Sequence, residues 1–329
     1  MLRFGLLGAG RIGQVHGKNI ATNPRAKLVA IYDPFEDAAN KLAAETGAQV
    51  RDMDKIIKGK DIDVVVICTP TDTHADLIDR SAKAGKAVFC EKPVDLDVKR
   101  VEKTLKLVEK LGTPLMVGFN RRFDHHFGNL KKRIDAGIVG NVELVTILSR
   151  DPGAPPVSYI ERSGGLFRDM MIHDLDMARF LLGEEPIEVH AVGSSIVDPA
   201  IGKAGDVDTA AVLLKTKSGK ICQISNSRRA TYGYDQRIEV HGSKGLLSAG
   251  NVHETTVKFA SGAGVSADPV QNFFLERYNP AYQNEINAFI DAIENKKAPN
   301  PSGHDGLMAL ILADAATKSH QTGKPVKIG

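Results

Sequence analysis

A glycine loop, Gly8-Ala9-Gly10-Arg11-Ile12-Gly13, follows the short apolar run Arg3-Phe4-Gly5-Leu6-Leu7 and opens a helical stretch through about Ala21. A second run, Ala26 to Tyr32, ends at Asp33, 20 residues past Gly13. Strand, glycine turn, helix, strand and acid, in that order and spacing, describe a dinucleotide-binding βαβ unit. In such a unit Gly8 makes the tight turn and Gly10 lets a pyrophosphate approach the backbone. Gly13 permits close helix–strand contact, and the first N–H groups of the helix, with its positive dipole end, meet the phosphates. A carboxylate at Asp33 bonds a free ribose 2′-hydroxyl and repels a 2′-phosphate. The residues that follow, Pro34-Phe35-Glu36-Asp37, hold no Arg that would receive a phosphate, so NAD is expected rather than NADP.

The alternation continues to residue 120. A helix is expected over about 36–45, a strand over 63–68, a helix over 74–84, a strand over 87–90, a helix over 97–110 and a strand over 114–117. Strands that are continuously apolar, such as Val64-Val65-Val66-Ile67-Cys68, and that are separated by amphipathic helices indicate a parallel sheet covered on both faces. Beyond Asn120 the pattern changes. After a helix over 124–136 come longer strands, 142–149, 187–197, 209–216, 220–225 and 236–241. Turn signals link them at Lys217-Ser218-Gly219 and Gly242-Ser243-Lys244-Gly245. Helices are expected over 165–182, 281–295 and 305–320, and the Gly- and Pro-containing segment 262–272 reads as a loop. The expected fold is therefore an α/β N-terminal Rossmann domain over 1–120 and an α+β C-terminal domain over 121–329. The second domain carries a large, mostly antiparallel open sheet and serves substrate binding and oligomerisation.

Composition narrows the function. With 42% hydrophobic and 25% charged residues, the chain can bury sizeable cores. A net charge of +3 over 329 residues is too small for nucleic-acid binding by bulk charge. The basic runs Asn120-Arg121-Arg122 and Lys131-Lys132-Arg133 lack interleaved aromatics, and Lys99, Arg100, Lys103 and Lys106 read as a solvated helix face. No apolar run reaches the roughly 18 residues of a membrane span. No basic segment leads into a long apolar run at the N-terminus, so no secretory leader is expected. Cys68, Cys90 and Cys222 stand apart in apolar runs and form no CxxC pair, which points to buried free thiols in a cytoplasmic protein. His125-His126 has only Asp124 nearby, so no metal is expected.

A chain that binds NAD can take a hydride from an alcohol, and such a step would need a base for the hydroxyl proton and a positive group beside the oxygen as alkoxide character develops. Lys92, in Cys90-Glu91-Lys92-Pro93, directly follows a strand end, where ligands of open α/β sheets sit. Asp169 and His173 are four residues apart on an expected helix and so share a face. A neutral imidazole accepts a hydroxyl proton at physiological pH. Asp176 is three residues past His173, so spacing alone leaves open which carboxylate orients the ring.

Five segments together resemble the glucose–fructose oxidoreductase / inositol dehydrogenase (Gfo/Idh/MocA) family over nearly the whole chain. They are Gly8 to Gly13, Cys68-Thr69-Pro70-Thr71-Asp72-Thr73-His74, Cys90 to Pro93, Gly118-Phe119-Asn120-Arg121-Arg122-Phe123 and Gly164-Gly165-Leu166-Phe167-Arg168-Asp169-Met170-Met171-Ile172-His173-Asp174. The resemblance implies NAD-dependent oxidation of a cyclic polyol, with myo-inositol or scyllo-inositol going to the keto-inositol. It implies Lys92, Asp169 and His173 as catalytic residues, with Asp169 orienting His173. It places Gly8, Gly10, Arg11, Ile12, Gly13, Asp33, Thr69, Pro70, Thr71, His74, Glu91, Lys92 and Arg121 along the cofactor. Substrate contacts fall to Lys92, Asn120, Asp151, Asp169, His173, Tyr234 and Tyr282, and Asn120 stands where some relatives carry Met. The resemblance also implies a homo-oligomer, a dimer or tetramer, since the family often assembles as tetramers. Ala210, Val212 and Leu214 alternate with Ala211 and Leu213, so both faces of the strand over 209–216 are apolar and one awaits a cover, which a partner subunit's sheet would supply. Another sugar or diol dehydrogenase of the same fold, or a non-catalytic NAD-binding sensor, are the competing readings.

Overall fold

A computed structural model describes all 329 residues, the side chain of Glu161 excepted. The chain forms two compact units. The first comprises residues 1–123 and 280–310, the second residues 124–279 and 311–329. Residues 280–310, which the sequence division groups with 121–329, thus lie in the first unit.

In the first unit β1 (Leu2–Leu7), β2 (Ala26–Tyr32), β3 (Gln49–Val50), β4 (Val64–Ile67), β5 (Ala87–Glu91) and β6 (Leu115–Gly118) form a sheet in the order β3-β2-β1-β4-β5-β6. Every pairing is parallel. The order reverses after β1, which puts the glycine loop at the topological switch point, where ligands of such sheets bind. Helices α1 (Arg11–Ala21), α2 (Glu36–Thr46), α3 (Met53–Ile57), α4 (His74–Lys83) and α5 (Val98–Leu111) connect the strands. All four residues of β4 and all five of β5 are buried, as the continuous apolar runs require. Phe4, Leu6, Val64, Val66 and Phe89 form one core with Ile286, Phe289 and Ile290 of the returning segment. The charged face of α5 is partly engaged, because Arg100 binds Asp76 and Asp79 of α4.

The second unit begins with α6 (His125–Asp135), whose N-terminus is capped by Asp124 through the N–H groups of His126 and Phe127. Its seven-stranded sheet uses β7 (Val142–Arg150), β8 (Pro186–Ser194), β9 (Thr209–Thr216), β10 (Ile221–Ser227), β11 (Asp235–Gly242), β12 (Gly245–Ala249) and β15 (Val326–Lys327), in the order β12-β11-β7-β10-β9-β8-β15. Only β10 and β7 pair parallel, so the sheet is mixed but mostly antiparallel, as expected. The hairpins fall at the predicted turns, with Gly219 at φ 95° between β9 and β10. The segment expected as a loop over 262–272 instead contains β14 (Gly264–Ala267), paired with β13 (Lys258–Ser261). All eight residues are exposed, so no buried face imprints an alternating pattern on the sequence.

Helices α7 (Val157–Ser163), α8 (Ile172–Leu182) and α9 (Pro199–Lys203) complete this unit, while α10 (Phe274–Glu294) and α11 (Gly303–Thr322) contribute residues to both. The expected helix over 165–182 is not continuous: Leu166–Met170 form a π-helical turn, and α8 starts only at Ile172. Among the described residues no helix is long and apolar enough to cross a membrane.

Candidate functional site

The first unit shapes a dinucleotide site in the way its glycines predict. Gly8 sits at φ 98°, and a Cβ there would lie 2.5 Å from the Cys68 carbonyl oxygen. A Cβ on Gly13 would lie 2.0 Å from the Gly8 carbonyl oxygen. Around Gly10 there is open space, with nothing within 4 Å of a Cβ, and no side chain caps α1. Two glycines are thus consumed by close packing, and the third leaves room for an anion over uncapped N–H groups. Asp33 accepts from the Ala9 N–H at 2.7 Å and from the Phe35 N–H at 2.9 Å. It therefore braces the glycine loop as well as offering its remaining lone pairs. These residues fit NAD.

At the ends of β4 and β5 the predicted residues brace one another. The Thr69 and Thr73 hydroxyls lie 2.6 Å apart. His74 is buried, its Nδ1 2.8 Å from the Pro93 carbonyl oxygen and its Nε2 2.7 Å from that of Thr69. It links the loop after β4 to the turn after Lys92. Burial pushes the His74 pKa down, against the opposing pull of the two carbonyls. Glu91 is buried as well. One of its oxygens lies 2.7 Å from His16 Nε2, and the other accepts from the Lys92 N–H at 3.3 Å. A Cβ on Gly118 would come within 3.0 Å of this carboxylate, so glycine there makes room for it. Half-buried Lys92 thus rises from a turn fixed on both sides. Asn120 and Arg121 are buried in a 3-10 turn after β6.

Two residues of this network escaped the sequence reading. His16, three past Gly13, and Glu285 of α10 are both wholly buried, with His16 Nε2 3.8 Å from a Glu285 oxygen. Burial, with the neighbouring Glu91, drives the Glu285 pKa well above the usual carboxyl range. Its sequence setting, Gln283-Asn284-Glu285, reads as helix surface. Tyr282, expected near substrate, packs its ring edge-on against His16, with centroids 5.7 Å apart.

In the second unit Gly164 and Gly165, at φ 86° and 80°, lead into the π-helical turn. Asp206 accepts the Leu166 N–H at 3.0 Å, and a Cβ on Gly165 would strike its carboxylate at 2.5 Å. Asp169 lies on this turn and accepts from the Tyr159 hydroxyl at 3.1 Å. His173 is half-buried at the start of α8. The two are not on one regular helix, and the 100° step of an α-helix does not carry across the wider turn. Asp176, the competing carboxylate, is buried beside Arg179, 3.5 Å away. Asp151 directly follows β7, and its N–H donates to the Ser227 carbonyl at 3.0 Å. Tyr234 is buried edge-on against Tyr278, with centroids 6.0 Å apart. Cys68, Cys90 and Cys222 are free and buried, and burial raises each thiol pKa.

Residues 2–119 match the family model described as an oxidoreductase family NAD-binding Rossmann fold, and residues 131–328 match the same family's C-terminal alpha/beta domain. The chain belongs to the Gfo/Idh/MocA oxidoreductase family. It is 59% identical over 327 residues to an inositol 2-dehydrogenase of Rhizobium meliloti, covering 99% of each chain. It is 46% identical to a myo-inositol 2-dehydrogenase of Thermotoga maritima, covering 99% of this chain and 98% of that one. The crystal structure of a Lactobacillus casei scyllo-inositol dehydrogenase with bound NAD(H) and scyllo-inositol superposes with a TM-score of 0.93 at 31% identity, covering 99% of both chains.

Proposed function

We propose that this chain is an NAD-dependent inositol 2-dehydrogenase that oxidises myo-inositol, and scyllo-inositol beside it, to the keto-inositol. The observation that carries the reading is Lys92. It stands on a doubly braced turn at the carboxyl edge of an NAD-type sheet, in a chain that aligns end to end with inositol dehydrogenases. Gly8, Gly10, Arg11, Ile12, Gly13 and Asp33 hold the dinucleotide, with Thr69, Pro70, Thr71, His74, Glu91 and Arg121 shaping the rest of its bed. NAD supplies the hydride acceptor. His173 takes the hydroxyl proton, Asp169 orients and balances the imidazole, and Lys92 donates to the substrate oxygen as its negative charge grows. Asn120, Asp151 and Tyr234 are assigned to the polyol hydroxyls, and Tyr282 to shaping the same region through His16.

The test measures initial NAD reduction with myo-inositol, scyllo-inositol, glucose and a 2-hydroxy acid, on the wild type and on Lys92→Met and His173→Ala. Inositol is expected to be the fastest substrate, and each variant is expected to lose about 10²–10⁴-fold in kcat with NAD binding intact. Full turnover by Lys92→Met, or a clear preference for NADP, overturns the reading.

We further place the enzyme in the cytoplasm, where its three free thiols stay reduced, and assign it a homo-oligomeric state, a dimer or tetramer. The support for assembly is the open face of the seven-stranded sheet. Ala210, Val212 and Leu214 are buried by their own unit, while Leu213 is 49% and Val192 58% exposed. Ile221 is exposed beside its register partner Leu144 on the same face. A second copy of this sheet would cover these positions.

A further inference from the structure

Arg228 is the largest fully buried side chain among the described residues, and it is held unlike the buried Arg277 and Arg179. Arg277 makes two hydrogen bonds to Asp124, and Arg179 makes two to Glu185. The Arg228 guanidinium instead lies between two carboxylates, its Nη2 3.9 Å from Asp169 and 4.0 Å from Asp206. Its Nε and Nη2 reach no hydrogen-bond acceptor among the described residues. A buried cation with unspent donors is costly to keep, and such a group calls for a reason. The backbone does not supply one, because the Arg228 N–H simply bonds the Asp208 carbonyl at 2.8 Å.

The surroundings supply it. Asp169 receives the Tyr159 hydroxyl from α7. Asp206 receives the Leu166 N–H, which opens the turn that carries Asp169. Asp208 is occupied by the N–H groups of Ile196, Val197 and Asp198. Asp174 of α8 is bonded by Asn226 of β10, two residues before Arg228, which directly follows that strand. Arg228 thus places a cation beside both Asp169 and the carboxylate that anchors its turn.

We propose that Arg228 is a positioning residue for the oxidation: its fixed positive charge, tied to the π-helical turn through Asp206, sets the orientation and charge balance of Asp169 and, through it, the readiness of His173 to accept the substrate proton. At about 4 Å, from a guanidinium that is itself almost wholly buried, the charge acts through space on the partly exposed Asp169 without a direct hydrogen bond. This rests on the roles given above to Asp169 and His173.

The active form of the Asp169–His173 pair carries no added proton. Removing the nearby cation strengthens its hold on a proton wherever that proton resides, and removing the nearby Asp206 charge weakens it. In Arg228→Met the acidic limb of the kcat/KM profile for inositol is expected to move to higher pH, by on the order of one unit. In Asp206→Asn, which keeps an oxygen for the Leu166 N–H, the limb is expected to move to lower pH. Arg228→Lys is expected to restore the wild-type position and most of kcat, and NAD affinity is expected to stay unchanged throughout. Opposite shifts with lysine rescue support the proposal. Activity lost evenly across pH, shifts of the same sign, or no rescue by lysine overturn it in favour of a packing role. If Arg228→Met fails to fold, the signs read from Asp206→Asn and Arg228→Lys decide. If His173→Ala keeps full turnover, the functional reading fails first, and that variant tells the two failures apart.

Discussion

The two sheets of this protein are built from the same apolar residue types and solve opposite problems. In the six-stranded sheet the central strands are buried on both sides, β4 and β5 at every position. In the seven-stranded sheet β9 alternates buried and exposed residues from Ala210 to Thr216. A parallel sheet must route its crossovers over both faces, so its own helices close it. The mostly antiparallel sheet turns through short hairpins, such as the one at Gly219, and these leave a face without helices. The difference teaches where each sheet does its work. The closed sheet presents the glycine loop, Asp33 and Lys92 at its carboxyl edge, where the cofactor is proposed to bind. The open sheet has a whole face left over for another surface.

The contrast breaks most sharply with one charge placed in each sheet. Val65→Asp puts an unpaired carboxylate into a position with no exposure, and a loss of more than about 4 kcal/mol is expected, read as loss of cooperative melting by circular dichroism. Leu213→Asp on the half-exposed position is expected to leave Tm within a few degrees while lowering the light-scattering mass to that of the monomer; an unchanged mass rules out this face as the interface.

A smaller effect sharpens the same comparison at the edge of the closed sheet, where Asp305 of α11 meets Arg122 at 2.9 Å. Burial opposes ionisation there, but the Arg122 charge with the Ser302 N–H and hydroxyl outweighs it and holds the Asp305 pKa at about 2, from an ordinary 3.8. A depressed carboxyl pKa stabilises the fold above the ordinary value, and that contribution disappears as pH falls from 3.8 toward 2. Asp305→Asn is therefore expected to cost about 2 kcal/mol at neutral pH in urea melts. The penalty should shrink as the wild type is acidified through that window, and a penalty independent of pH refutes the ion-pair account.

Much of the architecture was legible because the signals are local. The Ala26–Tyr32 and Thr209–Thr216 strands fall at their expected bounds, and Gly8 and Gly13 make the tight approaches their spacing implied. Other features lay outside any local pattern. The π-helical turn at Leu166–Met170 reads as ordinary amphipathic helix, since composition does not distinguish one extra residue per turn. His16, Glu285 and Arg228 carry ordinary helix or loop signatures, and their chemistry arises from partners 75, 269 and 59 residues away in Glu91, His16 and Asp169.

The sequence alone determined the nucleotide loop, the parallel and antiparallel halves and the family motifs, because glycine sterics, hydrophobic period and short spacings act within a few residues of chain. Tertiary structure alone decided that residues 280–310 complete the first core, that burial raises the Glu285 pKa and that a buried arginine stands by Asp169. Burial and charge are properties of surroundings, and surroundings are assembled from segments that the chain holds far apart until it folds.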